Sequence, residues 1–340
     1  MKFSRRRIFY WLIICILLFL TITYPLPFYI YKPGHADALG EMVTVENGFV
    51  SKGDIHLVTV SSGKATPIQY ILAKVLPHQE IISPEEARPE GITDDEYMHM
   101  QLQFMESSQE SSIVVAYEAA NEEITVTPNG VFVVGVVEGM PAEGKLKIGD
   151  HIKSVDGHSI TVAEDLIEYV EKKAPAETIV LDIVRDDEPM SITIELAPFE
   201  GNEEKVGVGI QLVTDQSVEV DREVNFASGN IGGPSAGLMF ALEIYDQLTE
   251  EDLTKGLRIA GTGEIDFNGN VKRIGGIDKK VVAADREGCD IFFAPNEDGR
   301  IGSNYEEARK KAEEIDTDMK VVPVDTFDDA LNYLQNISEN

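Results

Sequence analysis

The sequence predicts a mixed α/β (α+β) fold in which a β-rich module interrupts the main domain and one apolar helix precedes it. Three observations support this prediction. Beyond residue 201 the pattern runs through alternating strands, an apolar helix, and then strand, hairpin, helix and strand. Residues 121–200 instead hold short strands, glycine turns and one helix. Between Ile8 and Tyr31 there is no charged residue.

These changes in composition divide the chain into five segments. Residues 1–7 are predicted to be a cytoplasmic N-terminus, 8–31 a transmembrane anchor, 32–120 the first part of the main domain, 121–200 the β-rich module, and 201–340 the rest of the main domain with its functional site. A chain of 340 residues is long enough for about two domains of roughly 150 residues each, which agrees with this division.

The N-terminal segment has the features of a membrane anchor. Its 17 uncharged residues before Pro25 would form about 26 Å of helix, and three arginines precede them. Basic residues on that side predict a cytoplasmic N-terminus, with everything after about Lys32 outside the cell. A cleaved signal peptide is the competing interpretation, because the small residues at 36–38 suit a signal peptidase. We favour a retained anchor because the apolar run exceeds a signal core and ends well before those residues.

Acidic residues dominate the remainder of the chain. Asp and Glu number 60 against 29 Lys and Arg, which gives a net charge of −31. A surface of this kind repels nucleic acid and other polyanions, so we predict no nucleic-acid partner. Because Cys15 lies in the predicted anchor, Cys289 has no partner for a disulfide or a zinc cluster, and we predict no metal and no cofactor.

The stretch "NIGGPSAGLMF", residues 230–240, contains the first candidate functional residue. Two glycines, a proline suited to a first helical turn and then Ser235 fit both a capped helix start and a nucleophile on a tight turn. All six histidines lie before residue 159, so a base close to this serine in sequence must be another residue type. A lysine can serve if desolvation lowers its pKa.

The helix predicted for "IGGIDKKVVAADREG" offers two lysines. Ile277, Val281 and Ala284 form one apolar stripe. Lys280 sits beside that stripe and Lys279 points nearly opposite, so we expect packing to bury Lys280. A buried lysine is either functional or folded back to solvent along its stem, and periodicity alone favours the second interpretation.

The stretch "GVFVVGVVEGMPAEGKLKIGDHIKSVDG" resembles a PDZ domain, with the "GD.I..V.G" segment at the spacing of that family. Such domains bind an extended peptide as an added strand at a sheet edge. By this resemblance the edge and the apolar wall of the pocket are formed by Gly130, Val131, Phe132, Val133, Leu166 and Val170. "NGVF" stands where many members have a glycine-rich turn, so the ligand is either a C-terminus or an internal segment. The alternative for Val131 and Val133 is that they are the core of a small β module.

Three further motifs, "GGPSAGL", "AGTGEID.NG.V..IGGIDKKVVAA" and "GCDIFFAP", resemble the proteolytic domain of the Lon peptidase family. The whole chain is similar to the membrane-anchored, PDZ-containing Lon-like peptidases of Gram-positive bacteria. The resemblance implies a Lon-type fold with Ser235 as nucleophile, Lys280 as general base and Thr262 supporting the lysine amine. Backbone amides at the start of a helix, with Gly233 and Ala236 beside the serine, can stabilise an oxyanion.

The implied function is an ATP-independent serine endopeptidase that needs no metal or cofactor. It would cleave extended peptides or unfolded proteins outside the cytoplasm, with the PDZ domain presenting the substrate. No GxxxxGK[ST] motif occurs in the sequence. The alternative is a catalytically inactive, PDZ-containing peptide-binding scaffold at the cell surface, and a single predicted span disfavours a transporter component. Assembly into a homo-oligomer is suggested only by the resemblance.

Overall fold

The structure is a computed structural model that describes residues 5–88, 93–185, 187–199, 202–229 and 231–337. Its α-helices are α1 (Arg5–Thr23), α2 (Pro67–Ala73), α3 (Pro84–Ala87), α4 (Asp94–Ala120), α5 (Ala163–Glu171), α6 (Gly237–Leu248), α7 (Ile277–Glu287), α8 (Asn304–Ile315) and α9 (Phe327–Gln335). Its strands are β1 (Tyr29–Ala38), β2 (Val43–Val45), β3 (Asp54–Lys64), β4 (Glu80–Ile82), β5 (Ile124–Val136), β6 (His151–Val155), β7 (His158–Ser159), β8 (Thr178–Arg185), β9 (Glu188–Glu195), β10 (Ala197–Phe199), β11 (Asn202–Gly207), β12 (Ile210–Val220), β13 (Val224–Phe226), β14 (Arg258–Gly261), β15 (Glu264–Ile265), β16 (Val271–Lys272), β17 (Ile291–Pro295) and β18 (Lys320–Val324).

The main domain is built on a six-stranded sheet in the order β18-β17-β14-β3-β1-β4. β3, β14, β17 and β18 run parallel, and β1 runs antiparallel to its neighbours β3 and β4. Three of these strands precede the β-rich module in the chain and three follow it. The module is therefore inserted into a domain that both flanking parts of the chain complete together.

Alternating side chains of this sheet face two separate cores. On β14, Ile259 packs in the core that contains α6, whereas Ala260 packs in the core that contains α7 and α8. α6 is apolar over most of its surface, as expected of a helix enclosed by other elements, and it contacts both the sheet and α4. The first turn of α6 reaches the carboxyl end of β14, where Leu238 N donates to Gly263 O at 3.1 Å. This end of the sheet carries the candidate site.

The β-rich module has its own sheet and its own core. The sheet order is β12-β5-β6-β8-β9, with β7 paired to β6, and α5 packs against it. β12 lies beyond the boundary predicted at residue 200, yet it pairs with β5 from Ile210↔Val136 to Val220↔Ile124. The module sheet therefore extends to Val220. An alternating pattern predicts a strand but does not say which sheet the strand joins.

The N-terminal apolar segment forms a shorter helix than the predicted span of residues 8–31. α1 ends at Thr23, just before Pro25, a residue type that favours extended backbone in the position ahead of it. Tyr29 begins β1 and pairs with Lys64, so the last three residues of the predicted anchor belong to the main sheet. Within the described ranges, no helix is both long enough and apolar enough to cross a membrane.

Candidate active site

Ser235 lies in the loop that joins β13 to α6, immediately before the helix. The start of α6 packs so tightly that a Cβ on Gly237 would lie 2.7 Å from Ile265 Cγ2 and 2.8 Å from Ser108 Oγ. Ser108 Oγ also donates to Pro234 O at 3.0 Å. The small residues after Ser235 therefore let α4 and β15 hold the loop in a defined position.

Lys280 approaches the serine from the first turn of α7. Gly276 begins this helix with φ at 69°, and a Cβ there would lie 2.9 Å from Val60 Cγ2 on β3. This close approach brings the helix against the sheet. The Lys280 side chain is buried, with 4% of the residue exposed, and its Nζ lies 2.7 Å from Ser235 Oγ. The structure thus joins two side chains that are 45 positions apart in sequence.

Thr262 completes a three-residue cluster at the end of β14. Its Oγ1 donates to Ser235 O at 2.9 Å and lies 2.9 Å from Lys280 Nζ. Because the hydroxyl proton is committed to the carbonyl, this oxygen can only accept a hydrogen bond from the amine. One N–H of Lys280 is thereby directed toward Thr262, which leaves the lone pair of the neutral amine available for the Ser235 proton.

The surroundings of Lys280 favour its neutral form. Burial lowers the pKa of the Lys280 amine from 10.5 to about 7. Its hydrogen-bond partners are hydroxyls, and no carboxylate in the described ranges forms an ion pair with it. A lysine with this pKa is half neutral near pH 7 and can accept the proton of a serine.

Lys279 is buried as well, contrary to the expectation from helical periodicity. Only 6% of the residue is exposed. Its Nζ forms ion pairs with Glu80 and, at 3.0 Å, with Asp278. Burial acts to lower the pKa of Lys279, but the hydrogen bonds to Glu80 and Asp278 outweigh it and raise the pKa. Lys279 is therefore held charged.

The backbone amides near Ser235 fall into two groups. The Gly233 N–H donates to Gln101 O of α4 at 2.8 Å, so in this arrangement it is not free to bind an oxyanion. Among the described residues, the amides of Ser235 and Ala236 have no hydrogen-bond acceptor, and they precede the first turn of α6. These two amides are the better candidates for oxyanion donors. The contact with Gln101 joins segments far apart in sequence, and no local pattern predicts it.

Comparison with known families identifies both parts of the chain. Residues 190–336 match the Lon protease (S16) C-terminal proteolytic domain, a range that contains Ser235, Thr262 and Lys280. This stretch is similar to a Lon-type proteolytic domain. Residues 101–196 match the PDZ domain family. The two resemblances inferred from sequence motifs are confirmed.

Curated relatives of the chain are Lon proteases. That of Malacoplasma penetrans (strain HF-2) is 32% identical over 146 residues, which cover 42% of this chain and 17% of the relative. The peroxisomal Lon protease homolog 2 of Caenorhabditis elegans is 32% identical over 148 residues, or 44% of this chain and 18% of the relative. The chain thus spans less than a fifth of the length of these relatives. A solved PDZ domain from the SdrC-like protein of Listeria monocytogenes is 30% identical, covering 26% of this chain and 93% of that one, with a TM-score of 0.24.

The structure contradicts the predicted peptide-binding edge of the PDZ domain. β5 is paired on both sides, so Val131 lies between Ile152 of β6 and Thr214 of β12. Val131 and Val133 are fully buried, which makes the core interpretation of these two valines right. All six residues predicted for the peptide-binding edge and pocket wall lie instead in the sheet interior or the domain core. They are Gly130, Val131, Phe132, Val133, Leu166 and Val170.

β12 is the outermost strand of this sheet in the described ranges, and α5 lies beside it. The Ala163 N–H at the start of α5 donates to Thr214 Oγ1 of β12 at 3.0 Å. The segment 207–210, "GVGI", leads into β12, and Gly209 has φ at 78°. Glycine in this conformation lets Met140 pack against the backbone, since a Cβ on Gly209 would lie 2.1 Å from Met140 Cβ. The sequence signal for this edge is the "VGVGI" turn, which the predicted boundary at residue 200 assigns to the main domain.

Proposed function

We propose that the chain is an ATP-independent serine endopeptidase in which Ser235 and Lys280 form the catalytic dyad. The observation that supports it is the 2.7 Å distance between Lys280 Nζ and Ser235 Oγ, made by a buried amine with no carboxylate partner in the described ranges. A structural lysine gains its stability from an ion pair, as Lys279 does. The absence of such a pair at Lys280 favours a role in chemistry.

The proposed reaction begins with transfer of the Ser235 hydroxyl proton to neutral Lys280. Oγ then attacks the scissile carbonyl carbon, and the oxygen that becomes negative meets the N–H groups of Ser235 and Ala236. The Lys280 ammonium gives its proton to the leaving amine as the C–N bond breaks. Water then attacks the acyl-enzyme, with Lys280 taking its proton and returning it to Ser235 Oγ. Thr262 keeps the amine oriented throughout.

The substrate in this proposal is an extended peptide or an unfolded protein segment. β12 is the terminal strand of its sheet in the described ranges, which suits an added strand, and it leads through β13 into the loop that carries Ser235. A segment bound to β12 would therefore lie in the part of the chain that connects to the nucleophile. The ATP independence rests on the sequence, which has no GxxxxGK[ST] motif. Homo-oligomer assembly stays a prediction.

The proposal includes attachment of the chain to a membrane by its N-terminal apolar segment, with the proteolytic domain outside the cytoplasm. The apolar side chains of α1 are exposed along its length, Phe9, Trp11 and Phe19 among them, and the structure gives them no packing partner in the main cores. Three arginines at residues 5–7 support a cytoplasmic N-terminus.

The test is hydrolysis of casein and of a peptide library by the wild type, Ser235→Ala and Lys280→Met. We expect both variants to lose activity by at least about 10³-fold, as is usual when a nucleophile or its base is removed. Ser228→Ala, in the same loop, and Lys279→Met, in the same helix, are matched controls that should retain cleavage. Equal cleavage by wild type and Ser235→Ala would contradict the dyad.

One observation favours a second function, that of an inactive peptide-binding scaffold. Gln101 O occupies the Gly233 amide and α4 packs against the serine loop, an arrangement that suits a closed site. A wild type that binds extended peptides but cleaves none would support the scaffold over the peptidase.

A further inference from the structure

A row of apolar side chains on α2 faces outward. α2 continues as a helical turn to Leu76, whose N–H donates to Leu72 O at 2.8 Å. The five positions follow the i, i+3, i+4, i+7, i+8 spacing that normally faces a protein core. In this chain they are between 42% and 78% exposed. This α2 stripe consists of Ile68, Ile71, Leu72, Val75 and Leu76.

The opposite face of α2 fixes the stripe in this orientation. Tyr70 and Ala73 pack in a small apolar cluster with Leu26 and Phe28, which precede β1, and with Ile30 of β1. The helix start is capped by Thr66, whose side chain accepts from the Gln69 N–H. Because one face of α2 is already packed, the stripe cannot turn inward.

The stripe begins where α1 ends. The Leu26 N–H donates to Ala65 O at 2.7 Å, and the Ala65 N–H donates to Phe28 O at 2.8 Å. These bonds join the chain just after α1 to the residue just before the cap of α2. The exposed apolar surface of α1 therefore continues directly into the α2 stripe.

The charge of this region differs from that of the rest of the chain. Residues 1–36 and 55–79 contain no Asp or Glu, although the chain has 60 acidic residues. Lys64 and Lys74 flank α2, and Lys74 Nζ lies 4.6 Å from the centre of the Tyr70 ring. Asp94, which pairs with Lys64, also pairs with Arg88, so its charge is more than balanced. An apolar face on a segment without acidic residues, edged by lysine and tyrosine, matches the headgroup region of an anionic bilayer.

We propose that the α2 stripe lies in the interface of an anionic membrane and holds the proteolytic domain at the bilayer surface. The proposal rests on the attachment through α1 proposed above. The acidic remainder of the chain is repelled by the same membrane, which favours approach through this edge. The membrane contact would thus fix the orientation of the domain as well as its distance from the lipid.

Site-specific quenching in vesicles tests this proposal on the full chain. Burial raises the pKa of the Cys289 thiol to about 12, so a fluorescent maleimide at neutral pH reacts with Cys15. Three labelled proteins are compared: the native chain labelled at Cys15, and Cys15→Ser chains carrying Val75→Cys or Ile301→Cys. Val75 and Ile301 are 78% and 91% exposed, which makes the second a matched control.

Spin-labelled phosphatidylcholine in phosphatidylglycerol-containing vesicles is expected to quench the Val75 label roughly twofold or more and to leave the Ile301 label unchanged. Ile71→Glu in the Val75→Cys chain, or vesicles without phosphatidylglycerol, should reduce the quenching. A quenched Cys15 label with an unquenched Val75 label would overturn this proposal and leave the attachment through α1 intact. An unquenched Cys15 label would overturn both. Self-quenching of Val75 labels without any lipid effect would show that a second copy covers the stripe, and the proposal would be wrong.

Discussion

The two sides of α7 give neighbouring lysines opposite electrostatic environments. Lys279 and Lys280 are buried to nearly the same degree, at 6% and 4% exposure. On one side, Glu80 and Asp278 raise the pKa of Lys279 despite its burial. On the other side, in the part of the chain that the structure describes, only the hydroxyls of Ser235 and Thr262 lie within hydrogen-bond distance of Lys280 Nζ, and burial lowers its pKa to about 7.

This difference shows that burial alone does not determine the state of a lysine. A carboxylate at hydrogen-bond distance keeps the amine charged, while a hydroxyl satisfies one hydrogen bond without compensating the charge. Lys279 therefore ties β4 to α7, and Lys280 is available as a base. Substitutions at Lys279 or its carboxylate partners should change the stability of the fold. Substitutions at Lys280 or its hydroxyl partners should change the rate of catalysis.

The largest expected effect is the loss of activity when Lys280 is replaced with arginine, compared with the same change at Lys279. Arginine stays charged at every working pH, so Lys280→Arg should lower kcat/KM by about 10³-fold or more. Lys279→Arg should keep nearly full activity, because a guanidinium can still pair with Glu80 and Asp278. A fluorogenic peptide assay measures both, and thermal melting checks that each variant is folded. Activity of Lys280→Arg within tenfold of wild type would remove Lys280 from the role of base.

The pH dependence of kcat/KM should be the next largest effect. Because the pKa of Lys280 is lowered to about 7, the amine is neutral and active above that pH and protonated below it. We expect activity to fall about 100-fold from its plateau above pH 8 to pH 5, with half of the plateau activity near pH 7. Glu243 of α6 has a carboxyl pKa raised by burial to about 7 and titrates in the same range. Glu243→Gln should leave the midpoint in place, and a shifted midpoint would assign the titration to Glu243.

A smaller effect is expected from Thr262, which lies on the catalytic side of the comparison. Thr262→Val removes the hydroxyl that accepts from Lys280 and donates to Ser235 O, so kcat should drop roughly tenfold with little change in KM. Thr262→Ser keeps the hydroxyl and should restore most of the rate. Equal activity of the valine and serine variants would show that the hydroxyl does not orient the amine.

Sequence reasoning located the dyad but not its surroundings. Helical spacing put Lys280 beside an apolar stripe, and motifs placed Ser235 and Thr262 with it. The same spacing was wrong for Lys279, because Glu80, the partner that allows its burial, lies 199 positions away on β4. The bond from Gly233 to Gln101 likewise depends on tertiary packing. Local periodicity predicts which face a residue occupies, and only the fold decides what covers that face.

The PDZ domain shows the same limit in strand pairing. Alternation correctly predicted strands at "GVFVVGVV" and "VGVGIQLV", but it gave no information on their order in the sheet. β12 follows the domain's other strands in the chain and still pairs along the whole of β5. The terminal strand of the sheet is therefore β12, and not the strand that contains Gly130–Val133.

The N-terminal helix is shorter than predicted for a local reason. Pro25 favours a helix end before it, and the hydropathy of the segment alone does not show this.

The smallest expected effects are on the free energy of unfolding. It should fall when Lys279 loses its partner Glu80 and rise when Lys280 is replaced with methionine. Glu80→Gln leaves Lys279 buried with Asp278 as its remaining ion-pair partner in the described ranges, so the free energy of unfolding should fall by about 1 kcal/mol at pH 7. Since the folded pKa of Lys279 is raised, the stability contributed by its ion pairs is present below the unfolded pKa of about 10.4 and is lost as pH rises through the folded value.

Lys280→Met removes a desolvated amine and should raise the free energy of unfolding by about 1 kcal/mol at pH 7. Because the folded pKa of Lys280 is lowered, the wild type gains stability between about pH 7 and 10.4, and the advantage of the methionine variant should shrink over that window. Urea unfolding at several pH values measures both; a loss of stability in Lys280→Met equal to that in Glu80→Gln would mean that the two lysines serve the fold alike.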